Sequence, residues 1–174
     1  MKPLALVALV FGAAIGQVTV APLFPVDGAV PELVLLSLCL VAAFSGPVPV
    51  MVLTPLAAVM HGMLADRDAG LLLIAYLPVL PLGALLEDGP LPLGHAARTY
   101  LVLAGAGVLA RSVLAIGAML GGAPALFGPL LVDVLLPGLF LDVLLLTICY
   151  LPLRLAGLEG GSFRLQRGRY FAYR

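Results

Sequence analysis

The chain has 174 residues, 63% of them hydrophobic and only 10% charged, with a formal net charge of zero and a mean hydropathy of +1.19. Soluble domains carry about 25% charged residues and domains of this size leave much of their surface exposed, so water is excluded as the main solvent and lipid takes its place. A neutral chain sets up no basic field to attract nucleic acid, and Cys39 and Cys149 lie in apolar runs as small hydrophobes, not as a disulfide framework.

A bilayer core needs about 20 apolar residues per helix, with ~17 to 25 tolerated. On that rule, charges and Gly/Pro punctuation predict an all-α polytopic membrane bundle of six spans, at 3–24, 31–46, 48–65, 69–87, 98–121 and 128–155. The opening MKPLALVALVFGAAIGQVTVAP has a Lys, an apolar stretch and small residues, as a cleaved leader does. Its apolar run continues through Leu23 and Phe24, however, and the small-residue site at Thr19 and Ala21 is followed by Pro22, so retention as the first span is expected. The second span is short, bounded by Pro31 and by Gly46-Pro47. The third ends in HGMLADRDAG, where His61, Asp66, Arg67 and Asp68 crowd together and read as a hydrated turn. Pro78 and Pro81 remove backbone donors from the fourth span and should kink it. The fifth and sixth form an antiparallel hairpin turning near 123–125, and an Arg-rich tail fills 157–174.

Orientation follows from basic residues flanking the spans. Arg154, Arg164, Arg167, Arg169 and Arg174 stand against one acid, Glu159, which puts the C-terminus in the cytoplasm. With an even number of spans the N-terminus is cytoplasmic too, and the 66–68 turn falls outside. Basic residues beside the cytoplasmic leaflet each attract anionic lipid by ~1 kcal/mol, so the bilayer is the default partner of the tail.

Three ionisable groups fall within spans: Arg111, Asp133 and Asp142. A charge at mid-bilayer costs ~2.5 to 3.5 kcal/mol, so such groups pair or line a cavity. Counted from the hairpin turn at 1.5 Å per residue, the depths of Arg111 and Asp142 differ by only ~6 Å, within reach of a long side chain. The pair reads as an ion-coupling or substrate site, as a structural salt bridge fixing helix register, or as a contact for a polar group on a partner's helix; Asp133, nearer the outer surface, reads as snorkelling outward. No phosphate-cradling GxxxxGK[ST], HExxH or CxxC motif occurs, His61 and His95 are assigned to opposite ends, and the serines lack triad partners. No catalytic residue, metal site or cofactor is expected. Small residues at Gly12-Gly16, Ala104-Gly107 and Gly117-Gly121 stand at or near the four-residue spacing that lets helices approach closely in lipid.

Gln17 near the outer end of the first span, Pro31-Glu32 opening the second and Gly62, Asp66 and Gly70 spaced as G-x-x-x-D-x-x-x-G resemble the pattern of the MreD family. These are small integral-membrane proteins of the bacterial rod-shape system, the elongasome. The Pro- and Arg-containing LPLRLAG run at Pro152 and Arg154 is similar as well; Glu32 stands where the family has Asp or Asn, Ala69 where it favours Ser, and Ile74 where a Gly is common. The resemblance implies a six-helix bundle like the substrate-binding subunit of energy-coupling-factor transporters. It also implies a non-catalytic scaffold of cell-wall elongation in the bacterial inner membrane. Such a scaffold binds an MreC-like protein and acts indirectly with a RodA-type glycosyltransferase, a penicillin-binding transpeptidase and MreB. Asp66 and Arg67 are candidate partner contacts, and Asp66 is expected either to cap or brace the turn or to face a partner there. The competing expectation on the same bundle is a vitamin-like small-molecule binding subunit of a transporter, against which the scarcity of Asn, Gln, Ser and Thr within the spans argues.

Overall fold

In lipid the backbone has to satisfy its own hydrogen bonds, and every regular element among the described residues is helical. The structure is a computed structural model describing residues 3–26, 28–88, 94–122 and 135–156. In chain order the helices are α1 (Pro3–Thr19), followed by a short 3-10 turn (Ala21–Leu23), then α2 (Leu33–Ser45), α3 (Pro47–Ala65), α4 (Ala69–Tyr76), α5 (Val79–Asp88), α6 (His95–Leu120) and α7 (Leu136–Leu155). Five helical stretches, Pro3–Leu23, Pro47–Ala65, Ala69–Leu86, His95–Leu120 and Leu136–Leu155, are long and apolar enough to cross a membrane. They mark the chain as a membrane protein.

The second predicted span differs from the others. α2 has 13 residues, which at 1.5 Å per residue is only ~20 Å, short of the ~30 Å hydrocarbon layer. It is apolar all round and every residue from Val34 to Phe44 is buried, the pattern of a helix wrapped by others. α1, α3, α5, α6 and α7 all touch it. Gly46 then turns the chain into α3 with φ 82°, where a side chain would be strained, and Pro47 occupies the start of α3, where its missing N–H costs nothing.

The fourth predicted span is two helices. Pro78 cannot donate to Ile74, so α4 ends at Tyr76 and α5 starts at Val79. The joint is closed by Leu77 N–H to Leu73 C=O, at 2.9 Å, and Leu80 N–H to Leu77 C=O, at 3.1 Å. α6 begins at His95, a few residues before the predicted 98. The predicted turn at 123–125, Asp133, and Arg164, Arg167, Arg169 and Arg174 of the tail lie outside the described residues.

Candidate functional site: a polar network at one end of the bundle

A helix leaves its first N–H groups without intrahelical partners, and in a membrane a helix too short to reach the interface leaves them in an apolar surround. α2 meets this problem at its start. Gln17, near the end of α1, solves part of it with one side-chain amide: Nε2 donates to the Pro31 carbonyl at 3.0 Å, and Oε1 accepts from Leu33 N–H at 2.6 Å. Asp142, on α7, supplies the remainder, its Oδ1 accepting from Glu32 N–H at 2.8 Å. Two side chains from different helices therefore do what an N-cap does for a soluble helix. An anion beside a helix N-terminus is favoured by the helix dipole as well.

The other carboxylate oxygen of Asp142 faces α6. Its Oδ2 lies 2.6 Å from Arg111 Nη1, and both side chains are buried, with 1% and 9% of their surfaces exposed. The two residues singled out by composition are thus brought together, and the reason is steric as well as electrostatic. Gly138 and Gly107 leave a slot for the guanidinium: a Cβ on Gly138 would lie 2.6 Å from Arg111 Nε, and one on Gly107 3.3 Å from Nη1. A desolvated ion pair needs such a fixed, close geometry before attraction offsets the loss of hydration.

Glu32 completes the cluster. It is 7% exposed, and its Oε2 and Arg111 Nη2 are buried without a hydrogen-bond partner among the described residues. Pro31 contributes its carbonyl, which accepts from Gln17 Nε2.

The Gly62, Asp66 and Gly70 positions build the corner between α3 and α4 at the same end. Asp66 ends α3 in the left-handed conformation, φ 51° and ψ 46°, with its N–H on Gly62 C=O; Asp is one of the few residues that tolerates this. Arg67 N–H goes to the same carbonyl at 3.0 Å. Gly62 is required by contact: a Cβ there would meet Ala69 Cα and the Arg67 carbonyl oxygen at 3.0 Å. The side chain that caps α4 is Asp68, its Oδ1 accepting from Gly70 N–H at 2.7 Å and Leu71 N–H at 3.0 Å. Asp66, Arg67 and Asp68 are exposed, and the field of Arg67 reaches Glu32, His61 and Tyr76.

Sequence reading missed one element of this end. His61 Nδ1 and the Tyr76 hydroxyl are 2.5 Å apart, with near-parallel rings, tying α3 to the end of α4. His61 and Tyr76 are fifteen positions apart, and no local spacing rule links them. His95 lies at the start of α6, near Thr99, and no group of three or more His, Cys, Asp or Glu side chains suited to a metal occurs among the described residues.

The opposite end is held by aromatic packing. Tyr150 on α7 packs on Phe44 of α2, with centroids 5.5 Å apart, and edge-on against Tyr100 of α6 at 6.2 Å. The Tyr100 hydroxyl pairs with Thr147 Oγ1 at 2.9 Å. Arg154 closes the last turn of α7 just beyond. Comparison with protein-family models, with curated proteins and with solved structures finds no match.

Proposed function

We propose that this chain is a non-catalytic scaffold of the bacterial inner membrane, of the MreD kind, whose task is to hold an MreC-like partner beside the cell-wall elongation machinery. One observation carries the reading. Gln17, Pro31-Glu32 and the Gly62–Asp66–Gly70 corner, scattered in sequence, gather at one end of the bundle, where their polar groups brace helix ends. What this end offers outward is the exposed Asp66–Arg67–Asp68 corner, a polar surface for a partner.

On this reading α2 counts as a sixth span, sunk at its start, and the bundle resembles the substrate-binding subunit of energy-coupling-factor transporters. The corner faces outward, and both chain ends, with the Arg-rich tail, face the cytoplasm. The hydroxyls of Thr19, Ser37, Thr54, Ser112 and Thr147 bond to carbonyls of their own helices, as expected of groups satisfied by local backbone and not committed to a hydrophilic ligand.

The test is capture of an MreC-like protein by the tagged chain in mild detergent, with Arg67→Glu as the surface variant. Retention by the wild type and at least a several-fold loss in Arg67→Glu support the scaffold. Failure to retain it, with a vitamin-like molecule copurifying, overturns the scaffold in favour of a transporter subunit.

A further inference from the structure

Among the described residues, the buried end of the bundle holds two carboxylates, Glu32 and Asp142, and one guanidinium, Arg111. Asp142 is fully committed, Oδ2 to Arg111 Nη1 at 2.6 Å and Oδ1 to Glu32 N–H at 2.8 Å. Glu32 is buried to a similar degree, yet its Oε2 accepts from no donor. The charged and titratable groups whose fields reach it are Arg111 from α6, Asp142 from α7, Arg67 from the corner and Tyr76 from α4. Arg111 is neutralised by Asp142, which repels a second anion, and Arg67 is exposed, where water weakens its pull. An ionised Glu32 would therefore stand as an unbalanced charge in an apolar surround, which proteins avoid by neutralising the group.

We propose that Glu32 is a proton-binding site of the bundle: it keeps its carboxyl proton while Asp142 alone neutralises Arg111, and it releases that proton as the pH is raised. Loss of the proton creates a carboxylate that competes with Asp142 for Arg111, through the Nη2 that has no hydrogen-bond partner among the described residues. The α2 N-terminus is then pulled from two sides, because the same Asp142 also holds Glu32 N–H. The inference does not depend on the scaffold reading, since no partner enters it.

Infrared spectroscopy of the full chain in lipid nanodiscs tests it. At neutral pH the wild type should show the carbonyl stretch of a protonated carboxylic acid, which fades as pH is raised and is absent from Glu32→Gln. Asp142→Asn should also lose it, because Arg111 then passes to Glu32, whereas Asp66→Asn should keep it. The titration of the wild type requires no variant to fold. Absence of the band in the wild type at neutral pH, or its persistence in a folded Glu32→Gln, overturns the proposal.

Discussion

At the scale of single residues, Gln17 does two jobs with one amide, and its removal should be felt accordingly. Gln17→Leu leaves Leu33 N–H and the Pro31 carbonyl without partners in a dry site. Unpaired buried groups cost about 1 to 3 kcal/mol each, so a loss of that order is expected in unfolding measured in detergent. The glycines sort in the same way. Gly62→Ala drives a methyl into the backbone of Ala69 and Arg67, and Gly138→Ala drives one into the Arg111 guanidinium; overpacking of this sort costs ~1 to 3 kcal/mol. Gly12→Ala, with nothing within 4 Å of the added carbon, should leave the melting temperature unchanged or slightly raised. Gly12 and Gly138 look alike on paper, and only the neighbour that each faces separates them. Gly138 and Gly117 make room for side chains, Arg111 and Leu71 respectively, whereas Gly62 makes room for backbone.

At the scale of elements, α7 is attached at two heights, by Asp142 to α6 and α2 at one end and by Tyr150 to α2 and α6 at the other. Arg111→Leu leaves Asp142 buried and unpaired and should cost about 3 to 5 kcal/mol. Adding Asp142→Leu should restore only part of this, because Glu32 N–H then loses its acceptor. Adding Asp142→Asn instead should restore more, since the amide oxygen still accepts from Glu32. A double-mutant cycle on unfolding free energies checks both; equal rescue by Leu and Asn would remove Asp142 from any role at the start of α2. This dual role was not legible in the sequence. The charges of Arg111 and Asp142 and their similar depth could be read from composition and helical rise. The demand for an acceptor at Glu32 arises only because α2 stops short of the interface, which Pro31 and Gly46-Pro47 bound but do not place in depth.

At the scale of the whole molecule, the apolar runs and the charge-rich breaks were readable because in lipid composition alone separates span from loop. The split of the fourth span at Pro78 was readable from the missing donor, whereas the His61–Tyr76 contact across that span needs the fold itself. The corner at 66–68 and the start of α6 lie at opposite ends of the bundle, since the α4–α5 pair runs between them. An Arg67→Cys variant should therefore react with a membrane-impermeant maleimide on intact cells, and Gly94→Cys only after the membrane is opened. Cys39 is buried and Cys149 half-buried, which leaves a low background of native labelling. The reverse pattern would invert the proposed orientation.

The shared use of Asp142 has a consequence for biosynthesis. Ribosomes deliver α2 and α6 to the membrane before α7 exists, so for that interval Arg111 lacks its Asp142 partner and Glu32 N–H its Asp142 acceptor. A charge at that depth without its committed partner costs up to ~2.5 to 3.5 kcal/mol to insert, which favours holding α6 at the insertion machinery until α7 arrives. A nascent chain stopped ahead of Leu136 should therefore crosslink persistently to that machinery and be cleared by membrane proteases. The same truncated chain carrying Arg111→Leu should be released into lipid.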